Sequence, residues 1–492
     1  MPSILFTNLY LAARTGSELH TLELAKYFKK IGWDVTCFTL IYAYPLQREF
    51  EQEGIKVVEF GHEDELSDHY DVLFAQHRIV SEHVWNINRI SFGKVIVSIL
   101  GIVEAEENPP SFTDEADGFV FVSDEAKDLI TKNRSISERR TFVLTNYAAT
   151  QFFQVTPPRT KSTDTPRQIA VISNHPPREV FEMASLAQDR GMQVDIFGSA
   201  TRSVEVDASL ITRYDVVVSI GRTAQYCLAA QTPFFCYDRF GGPGYISPDN
   251  IEKHARYNFS GRSEPIKFDA SSLLESIISG YVESLAHLPR MRKIAESQYD
   301  SEALFGRLVT FIDSLPSVSK NRRATAGTSN TECREYLASV RHLFGMAQFF
   351  YVNTSEPNAK CSEDFSVRVR YRYDSDIVYE LPDSLCAYSI VRFDPDDKPC
   401  MCRVPQQGFT PYNACKYRPA DEDCFVTDDL IYFVTPRKTV SYSARPCPQE
   451  EIASYIRTLE QEAEGLRGAK HGAPQPLIAS LKGTLRGLLT RA

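Results

Sequence analysis

Short apolar runs alternate with helical patterns along the first 315 residues of the chain. Residues Ile4–Asn8 predict a first strand, and Ser17–Ile31 predict a helix because its apolar side chains recur at i, i+3, i+4 and i+7. The same rhythm predicts further strands at Asp34–Leu40, Lys56–Phe60, Asp71–Ala75, Lys94–Leu100, Gly118–Val122 and Thr141–Leu144. Several of these runs are apolar nearly throughout, which is typical of strands in a parallel sheet covered by helices on both faces.

This rhythm stops at a polar, proline-containing stretch, Thr156–Arg167, and then restarts. The second round predicts strands at Gln168–Ser173, Val194–Gly198, Asp215–Ile220 and Pro233–Asp238, and a closing helix at Ser301–Leu315. Strand–helix alternation of this kind produces a parallel sheet with helices on both sides. We therefore predict an α/β fold with two doubly wound Rossmann-like domains, residues 1–155 and 156–315.

The pattern changes after a second linker, residues 316–334, which is rich in Ser, Thr and basic residues. Residues Ser366–Tyr373 alternate with period 2, and further short runs follow between Pro- and Asp-rich turns. These features predict a small all-β domain, a β-sandwich at residues 335–447. Residues 448–492 are predicted to form a helical, basic amphipathic tail, whose part 473–492 either contacts an anionic membrane peripherally or packs on protein.

Composition narrows the class of protein. The chain has 492 residues, too many for one ordinary domain, and its 43% hydrophobic and 24% charged residues are typical of a soluble globular protein. A net charge of −10 argues against a general nucleic-acid-binding protein. No apolar run reaches about 18 residues, and the segment Met1–Tyr10 lacks the basic start of a signal peptide. We therefore predict a cytoplasmic location.

The eleven cysteines are expected to be reduced in that compartment. Eight of them lie between Cys333 and Cys447, where no CxxC pair occurs. Small buried side chains are the favoured interpretation of these cysteines, so we predict no metal site.

Two strand–helix turns contain candidate anion-binding groups. Gly16 precedes the N-terminus of the first helix, whose backbone N–H groups point toward an anion. Thr15 and Glu18 have the spacing of a capping box, so Glu18 either caps this helix or faces a ligand as a catalytic carboxylate. In the second domain, Gly221 makes a turn and Arg222 falls in the first helical turn, where a cation opposes the helix dipole. Either a bound diphosphate or a neighbouring carboxylate would relieve that conflict.

A glycine-rich segment follows another predicted strand. Gly241, Gly242 and Gly244 come directly after Asp238, at the carboxyl end of a buried run. Open α/β sheets bind ligands at the carboxyl ends of their strands. These glycines either let the backbone approach a ligand closely or form a plain surface loop.

Four short motifs indicate a family resemblance: GRTA (Gly221–Ala224), YDRFGGPGY (Tyr237–Tyr245), SPDN (Ser247–Asn250) and NFSGR (Asn258–Arg262). Together they resemble the donor-binding half of bacterial GT-B glycosyltransferases of the family 4 type, and the resemblance extends over about residues 1–315. It implies a GT-B fold with an acceptor site in the first domain and a nucleotide-sugar donor in the second, with no cofactor besides this substrate. The donor contacts that it implies are Gly16, Arg178, Gly198, Ser199, Gly221, Arg222, Thr223, Asp238, Gly241, Gly242, Gly244 and Tyr245.

The chain departs from this family at positions that matter for catalysis. Retaining relatives carry two glutamates eight positions apart, where this chain has Val218 and Tyr226. A histidine that many relatives place after the fifth strand of the first domain corresponds here to Leu100. The usual contacts to the donor sugar therefore do not carry over, and other groups are needed.

The remaining catalytic candidates lie at the carboxyl ends of strands in the first domain. His77 follows the run Asp71–Ala75, and Glu104 and Glu106 follow Leu100. A general base near an acceptor hydroxyl is what an inverting transfer requires. We name His77, Glu18 and Glu104 as catalytic candidates, with a structural role for His77 as the alternative.

Three functions remain open from the sequence. The first is a glycosyltransferase that moves a sugar from a nucleotide diphosphate sugar to a cell-surface glycan or lipid-linked acceptor. The second is a non-catalytic GT-B scaffold or glycan-binding protein. The third is a UDP-sugar 2-epimerase type of GT-B enzyme, which needs acidic and histidine groups in the cleft. The predicted β domain resembles accessory modules of bacterial glycosyltransferases, with glycan contact and a structural role as its two interpretations.

Overall fold

The fold is described from a computed structural model. It describes residues 1–155, 164–198, 206–316, 330–352, 362–381, 390–396, 400–404, 409–411, 414–416, 424–427, 431–433 and 439–446. Ser199, residues 156–163 and 317–329 of the two predicted linkers, and the predicted tail 448–492 lie outside the described residues. Within these described ranges, no helix is both long enough and apolar enough to cross a membrane.

Seven strands form the first sheet, in the order β3-β2-β1-β4-β5-β6-β7. The elements of this part of the chain are β1 (Ser3–Leu11), α1 (Gly16–Lys30), β2 (Asp34–Tyr42), α2 (Leu46–Gln52), β3 (Lys56–Glu59), β4 (His69–Gln76), α3 (Arg78–Trp85), β5 (Ser91–Ile99), β6 (Gly118–Phe121), α4 (Asp124–Arg134), β7 (Thr141–Val143) and α5 (Thr150–Gln154). Strands β1 and β4 pair in parallel, with Leu5 opposite Leu73. The strand interiors are buried almost completely, as their apolar runs predict.

The second sheet has five strands in the order β12-β11-β10-β8-β9. Its elements are β8 (Gln168–Ile172), α6 (Arg178–Asp189), β9 (Gln193–Phe197), α7 (Ala208–Arg213), β10 (Val216–Ser219), α8 (Arg222–Ala229), β11 (Phe234–Asp238), β12 (Gly241–Tyr245), α9 (Ile251–Ala255), α10 (Ala270–Ser279), α11 (Tyr281–Gln298) and α12 (Ser301–Ser314). Strands β8 to β11 are parallel, whereas β12 runs antiparallel to β11. Apolar clusters cover both faces of this sheet.

The last helix of this region returns to the first sheet. On α12, Phe305 packs edge-on against Tyr27 of α1 at 5.2 Å, and Phe311 stacks on Phe142 of β7 at 5.4 Å. Lys94 of β5 donates to the carbonyl of Ile312 at 2.7 Å. The helix predicted to close the second domain therefore also ties it to the first.

The remaining described elements are largely antiparallel β structure. They are α13 (Asn330–Arg341), β13 (Phe344–Val352), β14 (Ser366–Arg372), β15 (Ile377–Glu380), β16 (Ile390–Asp394), β17 (Cys400–Arg403), β18 (Phe409–Pro411), β19 (Ala414–Lys416), β20 (Cys424–Thr427), β21 (Ile431–Phe433) and β22 (Thr439–Pro446). The strands form two five-stranded sheets, in the orders β14-β13-β16-β21-β18 and β15-β22-β17-β20-β19. The predicted fold class, two doubly wound Rossmann-like domains followed by a small all-β part, is confirmed by these sheets.

The described chain divides into two compact units. Unit 1 contains Met1–Leu9, Thr15–Thr39 and Ile55–Cys333, and thus both α/β domains. Unit 2 contains the β domain from Arg334 onward, together with Tyr10–Arg14 and Leu40–Gly54. The aromatic core of unit 2 accordingly includes Tyr44. The backbone N–H of Tyr44 donates to the carbonyl of Arg370 at 2.7 Å.

Candidate functional site

Each α/β sheet of unit 1 has one point at which the strand order reverses. In the first sheet it lies between β1 and β4, and in the second between β8 and β10. At such a point the connecting helices leave on opposite faces, and a crevice opens outside the carboxyl ends of the strands. By this rule, the residues that follow β4, β8 and β10 are candidates for a ligand site.

His77 follows β4 directly and has a positive φ of 62°. Its Nδ1 accepts the backbone N–H of Leu9 at 2.9 Å, and its Nε2 lies 3.2 Å from Oε1 of Glu107. The other carboxylate oxygen of Glu107 accepts the N–H of Leu100 at 2.9 Å. Because an N–H occupies Nδ1, Nε2 must carry the proton that it donates to Glu107. The ring thus lies where the sequence predicts, but its basic nitrogen is already hydrogen-bonded.

In the loop after β5, the buried carboxylate is not the one predicted. Glu104, a catalytic candidate, is exposed, whereas the side chain of Glu107 is nine-tenths buried against His77. Neighbouring acidic residues in one loop cannot be ranked from the sequence, because the turn of the backbone decides which one points inward. Glu107 was missed for this reason.

Glu18 caps its own helix. Its Oε2 accepts from the Thr15 hydroxyl and, at 3.3 Å, from the Thr15 backbone N–H. The carboxylate is buried in this capping box. The capping interpretation of Glu18 is therefore the one that the structure shows, and the catalytic one is corrected. Gly16 begins the same helix with no atom within 4 Å of a hypothetical Cβ, so no neighbouring group requires a glycine there.

Arg222, the first residue of α8, is paired with a carboxylate of the other domain. Its guanidinium contacts Glu23 of α1 and lies over the rings of Tyr147 at 4.8 Å and Tyr226 at 5.5 Å. Only 13% of its side chain is exposed. Of the two partners predicted for Arg222, the structure shows the carboxylate, and the diphosphate contact stays a prediction. The neighbouring Thr223 is buried as well.

His20 joins this cluster from the same face of α1. Its Nδ1 lies 3.1 Å from the hydroxyl of Tyr147. Burial, together with the nearby Arg222 and His77, lowers the pKa of His20 to about 3. Burial also raises the pKa of Tyr147 well above its usual value, to which Glu23 contributes. Both groups are therefore uncharged at neutral pH.

Sequence reasoning missed His20 and Glu23. Their spacing of three positions on α1, which places both on one helix face, was the available signal.

Two further pairs join the domains, and they have the same polarity as Glu23–Arg222. Arg262 donates to both oxygens of Glu125, and Arg256 donates to Asp128 at 3.0 Å. Glu125 and Asp128 lie in the first turns of α4, which follows β6, and both arginines follow α9. Asn146 also donates to Asn258 at 2.9 Å. In these three ion pairs the first domain supplies the acid and the second the arginine, whereas the exposed pair Lys30–Glu302, at 2.8 Å, has the opposite polarity.

These pairs bring the carboxyl edges of the two sheets together. Helices α1 and α4 follow strands β1 and β6 of the first sheet, and α8 follows β10 of the second. The backbone N–H of Gly221 donates to the carbonyl of Phe259 at 3.0 Å, so the segment holding Arg256 and Arg262 lies over the end of β10. The carboxyl edges of the two sheets of unit 1 thus face each other across these contacts.

Most of the predicted glycine contacts are explained by backbone packing. A Cβ on Gly198 would lie 1.8 Å from the carbonyl oxygen of Ser173, and one on Gly242 would lie 1.9 Å from that of Cys236. Gly241 would meet the carbonyl oxygen of Ile266 at 2.3 Å. The segment predicted as a loop is strand β12, which the close neighbours of its glycines allow to form. These positions require glycine for the fold, with no ligand needed to account for them.

The predicted donor residues Tyr245 and Gly244 both contact Phe235. The ring of Tyr245 packs on Phe235 at 5.0 Å, and the Tyr245 hydroxyl donates to the carbonyl of Ile277 at 2.7 Å. Tyr245 is half-buried and has a structural role through these two contacts, and its donor contact stays a prediction. Gly244 itself has a φ of +86° and touches the Phe235 ring.

The carboxyl edge of the second sheet retains a polar centre. Asp238, at the end of β11, accepts from the Ser173 hydroxyl with both oxygens at 3.0 Å, and burial raises the pKa of its carboxyl. Gly221, after β10, has open space where a Cβ would be. Arg178, the first residue of α6, is 90% exposed and pairs with Glu182 at 2.7 Å. Among the described residues, no group of three potential metal ligands occurs at this edge or elsewhere.

Comparison with known proteins finds no matching protein-family model and no matching curated protein. Solved structures do match. A glycosyltransferase from Rickettsia africae ESF-5 is 14% identical over 63% of this chain and 98% of its own, with a TM-score of 0.43. A sucrose-phosphate synthase from Thermosynechococcus elongatus is 12% identical over 64% and 98%, with a TM-score of 0.43. MurG from Acinetobacter baumannii is 10% identical over 64% and 100%, with a TM-score of 0.38. These proteins are what the chain is similar to.

Proposed function

We propose that this chain is a glycosyltransferase that moves a sugar from a nucleotide diphosphate sugar to a glycan or lipid-linked acceptor. The observation that carries the proposal is that interdomain ion pairs join two Rossmann-like sheets at their carboxyl edges, where each sheet has one strand-order reversal. Each reversal is a ligand site by the rule for open α/β sheets. Two facing sites suit a reaction that joins two substrates.

The second domain has the better groups for the donor phosphates. Helices α6 and α8 begin directly after β8 and β10, so their N-terminal N–H groups and dipoles favour a diphosphate. Arg178 supplies an accessible guanidinium at the start of α6. Gly221 leaves open space at the start of α8. A donor contact by Arg222 would require a phosphate to replace the Glu23 carboxylate.

A non-catalytic scaffold is the second candidate, and a specific observation favours it. Glu18 is held in the capping box of its helix, and Glu104 is exposed. Both ring nitrogens of His77, the third catalytic candidate, are hydrogen-bonded. None of them presents a ready base to the cleft in this closed arrangement. The scaffold would bind a nucleotide sugar or a glycan without transferring it.

Thermal unfolding with UDP-, GDP-, TDP- and CMP-sugars tests the proposal. A transferase is stabilised by its donor and slowly hydrolyses it, whereas a scaffold is at most stabilised. A 2-epimerase would return the sugar inverted at C2. No stabilisation by any nucleotide would contradict the proposed donor site.

A matched pair of variants locates that site. Arg178→Ala removes the cation at the start of α6. We expect the affinity for the nucleotide sugar to fall about tenfold, with a correspondingly smaller thermal stabilisation. Arg190→Ala removes an arginine at the opposite end of the same helix, where it pairs with Glu275 at 2.6 Å, and should leave binding unchanged. Equal binding by both variants would place the phosphates elsewhere. The cytoplasmic location and the membrane contact of residues 473–492 stay predictions.

A further inference from the structure

Unit 2 contains a cavity of about 360 Å³ that no step of the proposed transfer uses. Helix α2 forms one wall, and strands β14 and β15 form the other. Its volume falls within the range of small-molecule sites, about 300–1,000 Å³. All of its lining residues belong to unit 2.

The two walls are fastened to each other, so the cavity is a defined part of the fold. At the start of α2, the Tyr44 backbone N–H donates to the carbonyl of Arg370 and its hydroxyl to the carbonyl of Val378. One helical turn later, Arg48 pairs with Glu380 of β15. Contacts to both strands hold α2 at a fixed distance, with the cavity enclosed between them.

The floor of the cavity is apolar. The rings of Tyr44 and Tyr379 meet edge-to-face at 5.5 Å, and both residues are buried, as are Val369 and Leu381. Both rings line the cavity, and an apolar surface of this kind suits the C–H face of a small ring.

The rim is polar, and its charges cancel. Arg48 pairs with Glu380, and the amide of Gln47 donates to Glu51 at 3.0 Å. Arg368 pairs with Glu363 at 3.2 Å, and the amide of Gln52 completes the polar rim. An anionic or cationic ligand would meet a repelling group for each attracting one. The rim offers both donors and acceptors, which matches hydroxyl groups, since each hydroxyl donates once and accepts twice.

We propose that this cavity binds a neutral saccharide unit, with its hydroxyls on the polar rim and its C–H face on the apolar floor. This site is separate from the transfer site, and its existence does not depend on the proposed function. A donor-binding failure and a saccharide-binding failure are therefore independent results.

Saturation-transfer NMR on the full chain tests the proposal, with maltose, cellobiose, lactose and N,N′-diacetylchitobiose as neutral probes. We expect at least one of them to bind at millimolar concentration, and glucuronate and glucose 6-phosphate to bind less well. No binding by any neutral probe, or binding of the charged sugars alone, would overturn the proposal.

Variants place any binding in the cavity. Val367→Trp, at the half-buried rim, fills the space and should abolish the signal. Gln47→Ala removes one rim amide and should weaken binding by about fivefold. Gln188→Ala, on an exposed part of α6, is the matched control and should bind as the unaltered chain does. If Val367→Trp does not fold, Gln47→Ala and Gln52→Ala decide, and unchanged binding in both would refute the assignment.

Discussion

His20 is uncharged in the folded protein although it lies among potential hydrogen-bond partners. Burial, together with Arg222 and His77, lowers its pKa to about 3, whereas in the unfolded chain it titrates near 6.5. The unfolded state therefore binds one more proton between these two pH values. The free energy of unfolding should fall as the pH drops below 6.5, by up to about 1.4 kcal/mol per pH unit.

Urea denaturation between pH 7 and pH 5 measures this loss. The unaltered chain should lose stability more steeply than His20→Gln, which has no proton to take up. His62→Gln is the control, because His62 is exposed, and it should keep the steeper dependence. Parallel curves for the unaltered chain and His20→Gln would contradict the buried neutral imidazole.

Residue-level chemistry was predictable where it is local and not where it is long-range. The Glu18 capping box follows from a spacing of three positions, so the sequence contained it. The partner of Arg222 lies 199 positions earlier, and no local pattern relates Glu23 to it. Glu107 is a similar case, because its contact with His77 depends on how two separate loops meet.

At the level of elements, buried strands were predictable and the glycine strand was not. The run Gln168–Ser173 predicts β8, observed at Gln168–Ile172, because a strand covered on both faces must be apolar throughout. Strand β12 has almost no side chains to alternate, so periodicity cannot detect it. Its position depends on close approaches to the backbones of Cys236 and Ile266.

Those close approaches predict a sharp contrast between two glycines. Gly242→Ala would push a Cβ to 1.9 Å from the carbonyl oxygen of Cys236 and should destabilise the protein by about 3 kcal/mol. Gly16→Ala meets no neighbouring atom and places a better helix former at the start of α1, so its effect should lie within about 0.5 kcal/mol. Chemical denaturation measures both, and similar values would refute the packing explanation of β12.

At the level of the whole molecule, the sequence predicts the order of the domains but not which chain segments each of them contains. The sequence predicts a β domain at 335–447, and the structure adds Leu40–Gly54 to the same unit. This segment joins it through Tyr44, whose ring is buried in the β-domain core. Such a contribution from a distant segment is a tertiary contact between strands far apart in the chain, which pattern and composition do not encode.

Two ion pairs between the α/β domains of unit 1 differ in how far they are buried. Arg262 donates to Glu125 through two nitrogens, and both side chains are largely buried. The side chains of Arg256 and Asp128 are mostly exposed. A buried two-point pair should contribute more than an exposed one. In a double-mutant cycle, Glu125→Arg and Arg262→Glu should each destabilise the chain by about 2 kcal/mol, and their combination should recover most of that loss.

The same swap at Asp128 and Arg256 is the matched control, with a coupling energy below about 1 kcal/mol because solvent screens both charges. Small-angle scattering should show the single variant Glu125→Arg with a larger radius of gyration, since like charges then face each other across the cleft. If the swap at Glu125 and Arg262 couples no more strongly than the control, the cleft is held by other contacts. Its opening would then depend on the cluster around Arg222, where a donor phosphate and Glu23 would compete for one guanidinium.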